Sequence, residues 1–137
     1  MGLRRKSREL ALQCLYQMDQ GGDTEGGGIE IIKSHFEVSA RSVPYAEELV
    51  ACIKEHREEL DEVLNRHSRH WRIFRMAVID RNLLRIAVCE ILYRDEVPGS
   101  VAINEAVEIA KRYGSDDSAS FINGILDAIL EEVSNKV

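Results

Sequence analysis

The chain has 137 residues, of which 45% are hydrophobic and 31% are charged, so it is long enough for one globular domain and too apolar for a disordered chain. No apolar run reaches bilayer-spanning length and the N-terminus lacks the apolar stretch of a signal peptide, so we expect neither membrane association nor secretion. The formal net charge is -6, yet four cations precede the first acidic residue, Glu9: Arg4, Arg5, Lys6 and Arg8. Because cations at a helix N-terminus are mildly unfavourable, this cluster needs a reason other than helix stability.

The first half of the chain is predicted to be helical. A first helix covers about Arg4 to Asp19, since Ala11, Cys14, Leu15 and Met18 follow the spacing of a buried stripe. The stretch QGGDTEGGG ends it in a flexible loop, which is not a phosphate-binding loop because no GK[ST] follows. IEIIKSHFEV predicts a short second helix and RHWRIF a short helix or turn. Between them Pro44 opens one long helix with an apolar side of Leu49, Ile53, Leu60 and Leu64.

Three further helices are predicted in the second half. Asp80 is the expected N-cap of the first, and Ser100 of the second, which ends at Gly114. SDDS begins the last, where Gly124 in mid-helix predicts close packing against a neighbouring helix. With no strand pattern, the predicted fold class is all-α, with about seven helices in one compact domain over residues 1–137 and a loose division near residue 70.

Signals for an active site or a metal site are weak. The sequence has no nucleophile elbow, no HExxH and no Glu-x-x-His pair. His67 and His70 have a spacing that a shared metal would allow, but they are more simply solvated residues at a helix end. Cys14, Cys52 and Cys89 are odd in number and far apart, which predicts no disulfide framework and a reducing cytoplasm. We therefore expect a protein that is not an enzyme and has no cofactor.

The N-terminal cations suggest a nucleic-acid surface. On a helical wheel Arg5, Arg8, Leu12 and Tyr16 fall on one side, largely separate from the predicted core stripe. Guanidinium groups that contact phosphates, with an aromatic ring for stacking, suit a single-stranded nucleic acid. A solubilising N-terminus with a half-buried Tyr16 explains the composition equally well, and the residues alone leave both interpretations open.

Four segments resemble the NusB family of bacterial transcription antitermination factors, in the family's order: RRKSRELALQCLYQMD, VIDRNLLRIAVCEILYR, VAINEAVEIAKRYG and SASFINGILDAI. The resemblance implies a helical fold of two three-helix subdomains that share one core. It also implies binding to the boxA RNA of ribosomal RNA transcripts together with NusE, a small-subunit ribosomal protein. That complex acts in the transcription elongation complex and helps RNA polymerase pass termination sites.

The resemblance also assigns site residues. It implies RNA binding by the first helix, through Arg4, Arg5, Lys6, Arg8 and Tyr16. It implies a surface for NusE at two helix starts, Asp80 and Asp117, which are also candidate N-caps. Two alternatives stay open: a helical protein-interaction module, or a homodimer in which the basic helix is buried. NusB-like domains also precede some ribosomal RNA cytosine methyltransferases, but we expect none here, because the chain has no glycine-rich cofactor motif and no room for that domain.

Overall fold

The computed structural model describes residues 2–19, 39–68 and 75–135. Within these ranges the chain forms six α-helices: α1 (Leu3–Asp19), α2 (Val43–Glu55), α3 (Arg57–His67), α4 (Val78–Tyr93), α5 (Gly99–Tyr113) and α6 (Ser118–Ser134). A single 3-10 turn, Ala40–Ser42, leads into α2. The described residues include no strand, which confirms the all-α prediction. The helix predicted at 29–38, the helix or turn at 69–74 and the division near residue 70 lie outside these ranges.

Helix α4 lies at the centre of the fold. It contacts each of the other five helices. Residues 82–90 are all buried, as expected for a helix that is covered on every side. Most of them are apolar, but Asn82, Arg85 and Glu90 bring polar groups into the interior. Buried polar groups of this kind need hydrogen-bond partners, so the neighbours of α4 must supply them.

The long helix predicted from Pro44 is instead two helices that meet at His56. The backbone of His56 has φ -109° and ψ 18°, outside the α-helical range, and its ring stacks on Tyr93 with centroids 3.9 Å apart. The predicted apolar residues Leu49, Ile53, Leu60 and Leu64 are nevertheless all fully buried. The apolar spacing runs on across the break, so it identifies the core residues and does not reveal the break.

Two predicted helix caps are wrong in position. The N-cap of α4 is Ala77, so Asp80 lies within the first turn, and the N-cap of α5 is Pro98, so Ser100 lies inside that helix. Asp117 is the N-cap residue of α6 but its side chain makes no capping hydrogen bond in the described structure. The hydroxyl of Ser118 accepts a hydrogen bond from the Ser115 amide at 3.0 Å. Both aspartates still favour their helix N-termini electrostatically.

The cysteines differ from the sequence expectation. Cys52 on α2 and Cys89 on α4 form a disulfide, with Cα atoms 6.8 Å apart. Cys14 is buried and free, and burial raises the pKa of its thiol to about 12. Cysteine spacing along the chain does not reveal which helices pack together, so the pairing was not predictable.

Gly124 is not a packing glycine. It is exposed, and a Cβ atom added there would meet nothing within 4 Å in the described structure. The close approach occurs at Gly99 on α5, where an added Cβ would lie 2.4 Å from Cδ1 of Leu130 on α6. The sequence prediction of close packing at Gly124 is therefore wrong.

We expect Gly124→Ala to raise the free energy of unfolding by about 0.5–1 kcal/mol, because alanine restricts the unfolded chain and no clash opposes it. Gly99→Ala is the matched control: it should gain less or lose stability, since Leu130 must move. Urea unfolding of both variants measures the difference. A loss of stability in Gly124→Ala as large as that in Gly99→Ala would contradict this reading.

Candidate nucleic-acid interface

The first helix has a wide buried side and a narrower accessible side. Its contacts with both α2 and α4 bury seven residues: Ser7, Arg8, Leu10, Ala11, Leu12, Cys14 and Leu15. Among the predicted RNA-binding residues, Arg4, Lys6 and Tyr16 are exposed and Arg5 is partly exposed. Arg8 and Leu12 are each 3% exposed. The predicted grouping of Arg8 and Leu12 with Arg5 and Tyr16 on one accessible side is therefore wrong, because two neighbouring helices widen the buried side.

Arg8 ends in a buried ion pair. Its Nε donates to both carboxylate oxygens of Glu90 at 3.0 Å, and its Nη2 donates to Oε2 at 2.8 Å. The Tyr45 hydroxyl donates to the same carboxylate, which is fully buried. Burial disfavours the charge on Arg8, but the hydrogen bonds and charge of Glu90 outweigh it and hold the pKa of Arg8 above its ordinary value. The Arg8 guanidinium thus ties α1 to α4 and is not presented to a phosphate.

The Arg5 side chain is hydrogen-bonded within the protein and also partly exposed to solvent. Its Nε donates to Oε1 of Glu105 on α5 at 3.0 Å, and its side chain remains 31% exposed. The hydrogen bond from Arg5 is the main reason that the pKa of Glu105 lies below its ordinary value. Arg8 also reaches Oε1 of Glu105, at 3.3 Å. Because a guanidinium has more donors than one carboxylate can accept, the exposed edge of Arg5 can still bind an anion.

Tyr45 also holds the exposed Arg4. The guanidinium carbon of Arg4 lies 3.8 Å from the centroid of the Tyr45 ring, a close cation–π contact. The phenol group that anchors Glu90 in the core thus positions a cation at the surface. Arg4 and Arg5 line a groove of about 430 Å³, whose far wall carries Pro98 and Val101 at the start of α5.

Lys6 and Tyr16 complete the accessible side. The Tyr16 residue is 44% exposed. With a rise of about 1.5 Å per residue, Lys6 and Tyr16 are roughly 15 Å apart along α1. Cations therefore mark the N-terminal end of this surface and an aromatic ring marks the C-terminal end.

Asp80 and Asp117 meet in a second groove, of about 250 Å³. Asp80 is 9% exposed, and its Oδ1 is buried without a hydrogen-bond partner among the described residues. Asp117 is exposed at the start of α6. Arg75 and Phe121 line the same groove, and sequence reasoning missed both because neither follows a recognisable pattern. The groove offers carboxylate oxygens beside an aromatic side chain.

The described residues contain no candidate metal site. No group of three or more His, Cys, Asp or Glu side chains among them could hold a metal ion. His67 forms a hydrogen bond with Oε2 of Glu132 at 3.1 Å, and His70, expected like His67 to be a solvated residue, lies outside the described residues. None of the described helices has the length and apolar character needed to cross a membrane.

Comparisons with known proteins agree on one family. A model of the NusB family matches residues 5–131. The transcription antitermination protein NusB of Desulfitobacterium hafniense is 50% identical over 97% of this chain and 91% of its own length. Its counterpart in Myxococcus xanthus is 44% identical over 94% of this chain and 95% of its own length.

Two solved structures show the same fold. The structure of T. maritima NusB matches with a TM-score of 0.81 and 34% identity, over 94% of this chain and 91% of that one. Antitermination factor NusB, in a crystal structure with NusE and double-stranded RNA, matches with a TM-score of 0.82 and 26% identity, over 95% and 97% of the two chains. The predicted family resemblance is confirmed.

We expect Arg8→Ala to lower the free energy of unfolding by about 3–5 kcal/mol, because it leaves the Glu90 carboxylate buried without its cation. The control is Arg66→Ala, which removes an ion pair to Glu132 at 3.0 Å from a side chain that is 45% exposed. That surface pair should contribute only about 0–1 kcal/mol. Urea unfolding compares the two, and similar small losses would contradict the structural role of Arg8.

Proposed function

We propose that this protein, which belongs to the NusB family of transcription antitermination factors, binds the boxA RNA of ribosomal RNA transcripts together with NusE. The observation that supports this most is the accessible side of α1, which presents cations and an aromatic ring in a protein of net charge -6. The similar NusB structure contains NusE and RNA. Acting on nascent transcripts, the protein would work in the cytoplasm within the transcription elongation complex. The family is one of antitermination factors, which confirms that the chain is not an enzyme.

The RNA surface comprises fewer cations than the sequence predicts. Arg4, Lys6 and the exposed edge of Arg5 contact phosphates, and Tyr16 stacks on a base. Arg8 contributes by fixing α1 against α4 and not by touching RNA. Three phosphate contacts imply weak binding by the isolated protein, with a slope of about 2 in log affinity against log salt.

The groove of Asp80 and Asp117 is the surface for NusE. The carboxylate of Asp80, which lines the groove, would accept a hydrogen bond from a cationic side chain of the ribosomal protein. Asp117 adds charge at the rim, where it mainly affects partner choice and association rate. Phe121, which lines the same groove, would supply an apolar contact with NusE. A homodimer that covers α1 is the alternative, and it would bind RNA only after dissociation.

RNA titrations of single variants distinguish the contribution of charge from that of base stacking. Lys6→Gln should weaken binding to all single-stranded RNAs and reduce the salt slope by about 0.7. Tyr16→Ala should cost about 1–3 kcal/mol, whereas Tyr16→Phe keeps the stacking face and should cost little. A boxA RNA titration at several salt concentrations, with and without NusE, measures both.

Arg66→Gln, on the far helix α3, is the control for a lost surface cation. Tight, steeply salt-dependent binding by the protein alone would require a larger RNA surface than α1. A parent protein that binds boxA neither alone nor with NusE would contradict the proposed function. Sedimentation at the same concentrations detects a dimer that masks α1.

We expect Asp80→Asn to weaken NusE binding by about 1.5–3 kcal/mol, because it removes the negative charge of a groove carboxylate that would accept a hydrogen bond from a cationic side chain. Asp117→Lys should slow association with a cationic partner. Asp127→Asn, an exposed position on the same helix as Asp117, is the control. Calorimetry with NusE, beside melting temperatures, tests this, and unchanged binding in both variants would place the NusE surface elsewhere.

A further inference from the structure

A third groove, of about 150 Å³, lies between α1, the turn before α2 and the C-terminal end of α5. Lys6 and Gln13 from the accessible side of α1 form one wall, and Ser39 forms another. The wall from α5 is Tyr113, the last residue of that helix. Tyr113 is 40% exposed, nearly as much as Tyr16. The groove therefore adds a second exposed aromatic ring beside the same face of α1.

A single carboxylate fixes Tyr113 to α1. Burial, together with the charge and hydrogen bonding of Glu9, raises the pKa of the Tyr113 phenol. Glu9 also accepts a hydrogen bond from Nη1 of Arg112 at 3.3 Å, and the Arg112 guanidinium lies 5.4 Å from the centroid of the Tyr113 ring. The ring is thus held by its hydroxyl end and by a neighbouring cation. An aromatic ring held in this way does not need to be ordered when a ligand stacks on it.

The charges around the groove favour an anionic chain along its rim and a neutral group inside it. Lys6, which lines the groove, is exposed. Two further exposed cations are next to lining residues in the sequence: Arg112 precedes Tyr113, and Arg41 precedes Ser42. Phosphates along these cations would be favourable, whereas Glu9 inside the groove would repel a phosphate. Carboxylate and amide groups, such as those of Glu9 and Gln13, are suited to the hydrogen-bonding edges of a base.

We propose that Tyr113 is a second base-stacking residue, and that a single-stranded RNA bound along α1 places one base in the groove between Lys6, Gln13 and Tyr113. This inference rests on the proposed RNA-binding function and extends it to the end of α5. The RNA would follow the cations of α1 and Arg112, with Tyr16 and Tyr113 stacking on different bases. Neither Tyr113 nor Arg112 was a candidate from the sequence, where KRY was only a helix C-terminus.

The test uses boxA RNA oligonucleotides in which 2-aminopurine replaces one base at a time, because its fluorescence changes when an aromatic ring stacks on it. Tyr113→Leu removes the stacking face and Tyr113→Phe keeps it while losing the bond to Glu9. Tyr93→Leu, at the end of α4 where Tyr93 stacks on His56, is the matched aromatic control. Melting temperatures confirm that each variant is folded.

We expect Tyr113→Leu to lower RNA affinity at least about fivefold and to abolish the fluorescence change at one RNA position, a position that Tyr16→Ala leaves unaffected. Tyr113→Phe and Tyr93→Leu should bind within about twofold of the parent. Parent-like affinity and fluorescence in folded Tyr113→Leu would overturn this inference and leave the proposed function intact. Absence of RNA binding by the parent, with and without NusE, would overturn both.

Discussion

The ion pair between Arg8 and Glu90 is the contact on which the arrangement of the molecule depends. It joins the first helix to the central helix at full burial, and Tyr45 adds α2 to the same carboxylate. Burying two charges is costly, so the pair adds little stability compared with apolar residues of the same size. Its effect is directional: a bidentate guanidinium fits only one orientation of α1 on α4. That orientation determines which side of α1 faces the solvent.

The polar groups of the central helix connect the two candidate surfaces. Glu90, near its C-terminal end, holds the helix that carries the cations proposed to bind RNA. Asp80, in its first turn, lines the groove proposed for NusE, and about 15 Å of helix separates the two residues. Between them Arg85 donates to Asp61 on α3 at 2.9 Å, so the middle of α4 is fixed as well. The rigid central helix would hold the RNA and protein surfaces at a constant distance, as a jointly bound RNA and protein require.

The sequence predicted the fold well because apolar spacing along a helix reports burial directly. Leu49, Ile53, Leu60 and Leu64 are in the core as expected, although His56 divides their helix. The roles of charged residues were predicted less well, because the sequence alone does not show whether a cation forms a buried ion pair or is exposed to solvent. Arg8 therefore looked like a ligand-binding residue until Glu90, far away in the sequence, was found beside it. Tyr113 was not identified from the sequence either. Its position next to Lys6 depends on how α5 crosses α1, which the sequence does not show.

Arg8 lies inside the core, so we infer that it makes no contact with RNA. The most direct measurement is the salt dependence of RNA affinity for the triple variant Arg8→Met, Tyr45→Phe, Glu90→Leu, in which apolar groups replace the whole buried network. Because no buried charge is left unpaired, the fold should persist, and melting temperature verifies it. If Arg8 makes no contact with RNA, the salt slope should equal that of the parent. A folded variant whose slope falls by about 0.7, the value for one lost phosphate contact, would contradict it.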